Sequence, residues 1–166
     1  MHEAVSMTHY MELLATNQPW NLIIFMAIPV ICAEFIAVTE LYILFKRDVA
    51  GFWKRANSAV GVFVGLYFTA IFAYLMQNAA IPLTVNGGWR GPADVIAVGF
   101  YLAGIVPLLG MALLEIAAWR KGKFDSSHVK LHATLVAVFL VVAHVAMIFG
   151  MLDPRLLQTT AVAMAH

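Results

Sequence analysis

Four apolar stretches dominate this sequence, at residues 20–45, 57–77, 93–119 and 130–152. Each meets or exceeds the roughly 20 residues that a helix needs to cross about 30 Å of hydrocarbon. A transmembrane β-barrel would instead show alternating segments of about ten residues, and the sequence has none. The pattern therefore predicts an all-α fold, a single domain built as a four-helix transmembrane bundle with up-down topology.

The composition agrees with a lipid environment. Of the 166 residues, 63% are hydrophobic and only 11% are charged, whereas soluble domains carry about 25% charged residues. The basic residues lie in two short loops and not along one face, so we expect the lipid bilayer as partner and no nucleic acid. No GxSxG or HExxH motif assigns the chain an enzymatic reaction.

The distribution of basic residues predicts the orientation of the helices. Loops on the cytoplasmic side of a membrane carry an excess of Lys and Arg. The loop after the second stretch has only Arg90, and the two termini together have only Arg155. We therefore predict that both termini are extracytoplasmic, in what we expect to be a bacterial inner (plasma) membrane. The first and third loops, predicted to be cytoplasmic, hold Lys46, Arg47, Lys54 and Arg55, and Arg120, Lys121, Lys123 and Lys130.

Two further segments have a recognisable pattern. Residues 3–16 place apolar side chains at helical spacing, which predicts a short helix lying on the outer membrane surface. Gly61 and Gly65 form a GxxxG step, which lets two helix backbones approach closely. This step predicts packing within the chain, with a contact to another copy or to a larger membrane complex as the alternative.

Ionisable residues inside a membrane are costly and point to function. Counted from the cytoplasmic ends at about 1.5 Å per residue, Glu40, Glu115 and His132 share one layer within roughly 3–8 Å of the boundary. His128 lies just before the fourth stretch. Two carboxylates with one or two imidazoles suit iron, manganese or zinc. The alternative is that these groups are solvated or form ion pairs with Lys46, Arg120 or Lys130.

Glu34 and His144 are the deepest ionisable groups, at roughly 16 and 21 Å from the cytoplasmic boundary by the same count. We predict that both face the bundle interior and interact directly, through water or through a cofactor. Glu34 is also a candidate proton site.

A softer set of possible ligands follows one face of the fourth stretch. His144, Met147 and Met151 recur at helical spacing, and imidazole with thioether favours Cu(I). Packing is the alternative reading for each methionine. His144 or His132 could also be an axial ligand of haem b, although only the fourth stretch carries His and a bis-His site within one chain is not available.

These residues lead to one function hypothesis and two alternatives. The first is a membrane protein that binds a transition metal or metal cofactor (copper, iron or haem) between its helices, for metal handling or electron transfer. The alternatives are a non-catalytic accessory subunit of a larger membrane complex and a proton-coupled carrier of a small solute.

Overall fold

A computed structural model describes residues 7–46, 51–121 and 126–154. These residues form a short helix, α1 (His9–Ala15), followed by four long ones. The four are long and apolar enough to cross a membrane, so the chain is an all-helical, multi-pass membrane protein. They are α2 (Trp20–Lys46), α3 (Phe52–Val85), α4 (Pro92–Lys121) and α5 (Ser126–Met151).

The four long helices close a ring. Helices α2 and α4 lie across the ring from each other, and each packs against both α3 and α5. The centre of the ring is filled by apolar side chains from all four helices. Apolar residues also cover the outside of the ring, as expected where lipid is the solvent. The central set includes Ile36, Val64, Phe68, Leu108 and Phe139.

Helix α3 is longer than the predicted stretch of 57–77. It continues through a π-helical turn at Met76–Ala80 and a last segment at Ile81–Val85. Pro82 has no N–H to bond to the preceding turn, and a wide turn is one way a helix accommodates that loss. The predicted second loop, 78–92, is therefore mostly helical.

A proline also shapes the start of α2. Pro29 cannot donate to the carbonyl of Phe25, and the helix is π-helical at Ile23–Ala27. The hydroxyl of Tyr101 on α4 donates to that carbonyl at 2.5 Å. A side chain from across the ring thus satisfies the backbone group that proline leaves unpaired.

The GxxxG step packs inside the bundle. A Cβ atom on Gly65 would lie 2.5 Å from the Cβ atom of Ala112 and 2.6 Å from the carbonyl oxygen of Leu108. On Gly61 it would lie 3.3 Å from Nε2 of His132. This face is therefore covered by α4 and α5 within the chain, as the first interpretation of the step predicts, and a contact with another copy or a larger complex stays a prediction.

Helix α1 packs against one end of the bundle and is shorter than the predicted segment, of which residues 3–6 lie outside the described ranges. Thr8 caps it by accepting from the backbone N–H of Met11 and donates its hydroxyl to the carbonyl of Gly150 at 2.6 Å. Tyr10 and Leu14 are buried. A Cβ atom on Gly150 would lie 2.7 Å from the Tyr10 ring, so the glycine makes room for α1.

Candidate functional site

A buried ionic cluster lies between the four long helices. Each helix contributes at least one charged or titratable side chain, and all are almost fully inaccessible to solvent. The members are Glu40 on α2, Lys54 and Ser58 on α3, Glu115 on α4 and His132 on α5. Glu40, Glu115 and His132, which the sequence places in one layer, are brought together here.

Glu115 is held by two groups of α3. The ammonium of Lys54 lies 2.8 Å from Oε1 of Glu115, and the hydroxyl of Ser58 donates to Oε2 at 2.5 Å. The side chain of Glu115 is fully buried. A carboxylate is stable in such a place only with a counter-charge and hydrogen bonds, and both are present.

His132 bridges the two carboxylates. Its Nδ1 atom lies 3.0 Å from Oε2 of Glu40, within hydrogen-bond distance. Its Nε2 atom lies 3.5 Å from Oε1 of Glu115, close enough for an ion pair if the ring is charged. Gly61 faces Nε2 and leaves room for it. The imidazole therefore connects α2 to α4 through the centre of the cluster.

His128 extends the cluster by one helical turn. Its Nε2 atom lies 3.8 Å from Oε1 of Glu115. Its ring lies nearly parallel to that of His132, with the ring centroids 6.2 Å apart. Two imidazoles thus adjoin the same carboxylate.

An amide lies beside the cluster, one turn from Glu40. Asn57 donates to Oγ1 of Thr39 at 2.8 Å and to the carbonyl of Ile36 at 3.1 Å. Its own Oδ1 atom is buried and has no hydrogen-bond partner in the described part of the chain. A buried acceptor of this kind is a place where a water molecule or another hydrogen-bond donor would be stabilised.

Lys54 was assigned to the first loop from the sequence, and the loop assignment is wrong. It lies in the first turn of α3 and is 3% exposed. Its position could have been found, because Lys54, Ser58 and Gly61 recur at helical spacing, on the side of α3 that packs. The proposed pairing of Glu115 with Arg120 or Lys130 is replaced by its pairing with Lys54.

Glu34 and His144 do not face the bundle interior, so this prediction is also wrong. Both side chains are exposed on the outside of the ring. In the described residues Glu34 forms no hydrogen bond or ion pair, and Nδ1 of His144 lies 2.6 Å from the carbonyl of Leu140 on its own helix. The centre of the bundle at this depth is filled by apolar side chains instead.

The methionines do not join His144. Met147 lines a largely aromatic cavity of about 20 Å³ together with Met26, whereas Met151 is 77% exposed. In the described ranges no group of three or more His, Cys, Asp or Glu side chains is arranged to hold a metal ion. The metal and haem assignments stay predictions.

A second polar group, built around Asp94, fixes α1 to α4. Asp94 is fully buried, and its carboxylate accepts from the backbone N–H of His9 at 2.7 Å and of Arg90 at 3.1 Å. Nδ1 of His9 lies 2.5 Å from the same carboxylate. The guanidinium of Arg90 pairs with Glu12 on α1. Burial in this contact raises the pKa of Tyr10 to about 12.

A cleft of about 370 Å³ opens beside this contact, between α1, α2, α3 and α4. Its lining combines aromatic and aliphatic side chains with a few polar ones. The polar and aromatic members include His9, Glu12, Thr16, Asn21 and Tyr74.

The fold and the cluster define the class, a multi-pass helical membrane protein with buried ionisable groups between its helices. The chain belongs to a family of unknown function, DUF6803, whose sequence model matches residues 5–166. No curated protein and no solved structure shows a significant match to it.

Proposed function

We propose that this protein is a proton-coupled carrier of a small solute and that the buried cluster of Glu40, His132 and Glu115 binds the proton. One observation carries the proposal: a fully buried histidine lies between carboxylates of two different helices. Buried acid and histidine side chains are the usual components of proton relays in membrane proteins.

The charge count of the cluster supports a bound proton. Two carboxylates face one ammonium, which leaves one negative charge in a region with little solvent. Burying an uncompensated charge is expensive, and one additional proton on His132 or Glu40 removes it. One bound proton would therefore make the cluster of two carboxylates, one ammonium and one imidazole electrically neutral.

The two nitrogens of His132 give the proton a route. A proton received from Glu40 at Nδ1 can be matched by a proton released at Nε2 towards Glu115. Protonation of Glu115 would remove the counter-charge of Lys54 and weaken the ion pair between α3 and α4. Occupancy by the proton would in this way change how two helices pack, which is what coupling to transport needs.

The cleft beside α1 is the proposed binding place for the solute. Its volume of about 370 Å³ falls within the range of small-molecule sites, and its lining is mostly apolar with a few polar groups. His9 and Glu12 line it and also hold α1 in place, so a solute bound there would contact the groups that position α1.

The proposed topology is up-down with both termini extracytoplasmic, in a bacterial inner membrane. Without Lys54, most of the basic residues still lie in the first and third loops or in the helix turns next to them. Arg47, Lys123 and Arg155 are among the residues outside the described ranges. In this orientation the ionic cluster lies in the cytoplasmic half of the protein and the cleft in the outer half.

Metal handling and electron transfer are less well supported by the geometry. Lys54 and Ser58 already engage both oxygens of Glu115, and a lysine ammonium beside a carboxylate opposes a second cation there. The accessory-subunit hypothesis has no specific contact in its favour, because the GxxxG face is used within the bundle.

The proposal is tested with purified protein in liposomes that contain a pH-sensitive dye. Under an imposed membrane potential, liposomes with wild-type protein should take up protons faster than empty liposomes. The rate should change when the transported solute, sought in a panel of small acids, amines and sugars, is added. His132→Gln should reduce the flux roughly tenfold or more, as expected for the loss of a proton-transfer group. Lys130→Gln, an exposed change on the same helix, is the matched control.

Two results would contradict the carrier. One is a flux that stays at the empty-liposome level across the panel, and the other is a His132→Gln variant that is as active as wild type. Stoichiometric copper or iron in the same preparation, lost in His132→Gln, would instead support the metal hypothesis.

A further inference from the structure

The cleft beside α1 is lined by polar side chains whose hydrogen-bond donors are mostly engaged within the protein. It lies between α1, α2, α3 and α4 and has a volume of about 370 Å³. A ligand bound there must pair with the atoms that the lining still offers. Since a backbone carbonyl or an ionised carboxylate can only accept, the internal hydrogen bonds of the lining determine which atoms those are.

Asn21 and Thr16 each donate to the backbone of α1. The side chain of Asn21 lies 3.0 Å from the carbonyl oxygen of Leu13, so the atom in this contact is the amide nitrogen. Its Oδ1 atom and one N–H are left for other partners. The hydroxyl of Thr16 donates to the carbonyl of Glu12 at 2.8 Å, which leaves its oxygen as an acceptor. Neither side-chain oxygen accepts a hydrogen bond from the described residues.

His9 and Glu12 add further acceptors. Nδ1 of His9 lies 2.5 Å from the carboxylate of Asp94, so the N–H of a neutral imidazole is on Nδ1 and Nε2 accepts. The side chain of Glu12 is about half exposed and pairs through Oε2 with the guanidinium of Arg90. Its Oε1 atom is left for a second donor.

The charge beside the cleft is negative. Among the residues that the structure describes, no lysine or arginine lines the cleft, whereas the carboxylate of Glu12 does. The neighbouring ion pairs contain the carboxylates of Glu12 and Asp94 and the guanidinium of Arg90. With a neutral His9 ring, these groups sum to one negative charge. A cation would be attracted to the cleft and an anion repelled.

Tyrosine rings form much of the remaining lining, at Tyr10, Tyr74 and Tyr101. The ring centroids of Tyr10 and Tyr101 lie 5.2 Å apart. The hydroxyl of Tyr101 donates to the carbonyl of Phe25, so its ring is the part left for a ligand. Aromatic rings pack against the apolar part of a ligand, and their faces attract cations.

We propose that the cleft binds a small organic amine in its cationic form, with the ammonium at Glu12 and the apolar part against the tyrosine rings. An ammonium brings several N–H donors and no acceptor to a lining that mostly offers acceptors. A carboxylic acid in its ionised form would bring only acceptors, and a sugar more acceptors than donors. The choice of the cleft as the solute site rests on the proposed function, whereas the class of ligand follows from the hydrogen bonds and charge of the lining.

Three ligands of similar shape test the class. Phenethylamine, phenethyl alcohol and phenylacetate share an aromatic ring and differ in charge, being a cation, a neutral molecule and an anion at neutral pH. Calorimetric titration of purified protein in detergent micelles, corrected for titration into empty micelles, measures their binding. We expect phenethylamine to bind roughly tenfold more tightly than phenethyl alcohol, since it gains charge-assisted hydrogen bonds, and phenylacetate to bind more weakly than either.

Substitutions in the lining test the place of the ammonium. Glu12→Gln should lower the affinity for phenethylamine roughly tenfold and leave that for phenethyl alcohol unchanged. Thr16→Asp adds a carboxylate to the lining at an exposed position and should raise the affinity for the amine roughly threefold. Damage to the fold would not produce this increase. Glu34→Gln is the matched control, because it removes an exposed carboxylate outside the cleft and should leave both affinities unchanged.

The inference is overturned if phenethylamine binds no more tightly than phenethyl alcohol or phenylacetate, or if Glu12→Gln and Thr16→Asp both keep the wild-type ratio of amine to alcohol affinity. A proton flux in liposomes that responds to a sugar or an acid and not to amines would also overturn it, while the carrier would stand. Selective amine binding by a protein that moves no protons would contradict the carrier and support the amine site.

Discussion

Glu115 is a fully buried acidic residue at the centre of the ionic cluster. Its carboxylate is fully buried, and Lys54, Ser58 and His132 reach it from two other helices. Removing one partner of a buried ion pair is more damaging than removing both, because the remaining charge has no compensation.

At the residue scale we therefore predict that a single substitution in this ion pair destabilises the protein more than a substitution of both partners. Lys54→Met should lower the free energy of unfolding by about 3–5 kcal/mol, since Glu115 keeps its charge in a buried place. Lys54→Met/Glu115→Gln should recover most of that loss. Unfolding in mixed detergent micelles, followed by circular dichroism, measures both.

Lys121→Met is the matched control, because Lys121 is exposed at the end of α4. A Lys54→Met variant as stable as this control would show that the ion pair does not hold Glu115 in its charged form.

At the scale of elements, a close contact joins α3 and α4. Gly65 lies against the backbone of Leu108 and the side chain of Ala112, so the two helices can approach only because Gly65 has no Cβ atom. This contact also sets the distance at which Lys54 and Ser58 reach Glu115, two to three turns closer to the N-terminus of α3.

We predict that Gly65→Ala separates the two helices and destabilises the protein by about 1–3 kcal/mol, the usual range for overpacking. Gly99→Ala on α4, where a Cβ atom would meet nothing within 4 Å, is the control and should be neutral or slightly stabilising. Thermal unfolding in detergent compares the two, and equal stabilities would contradict the close packing.

At the scale of the whole molecule, the proposed orientation makes a direct prediction. In a Cys32→Ala background, Lys121→Cys should react with a membrane-impermeant maleimide in inverted vesicles and not in intact cells, while Asn86→Cys should do the reverse. Both positions are exposed at helix ends. The reason is the excess of basic residues in the first and third loops. The opposite labelling pattern would place the ionic cluster in the outer half of the membrane.

The sequence by itself determined the number of spans and the height of the inner ionisable groups. Span number depends on length and apolarity alone. Height depends on counting residues along a helix, which is why Glu40, Glu115 and His132 could be assigned to one layer before their contacts were known.

Only the tertiary structure decided which way each helix is rotated. A soluble helix marks its buried face with apolar residues, but a membrane helix is apolar on all sides. Its buried face is marked only where small or polar residues recur at helical spacing, as at Lys54, Ser58 and Gly61 on α3. Glu34 and His144 were therefore assigned to the interior although they lie outside it, and Lys54 was assigned to a loop although it lies within the cluster. Close packing at Gly65 and the ion pair of Lys54 with Glu115 fix the rotation of α3 against α4, and both arise only when the helices meet.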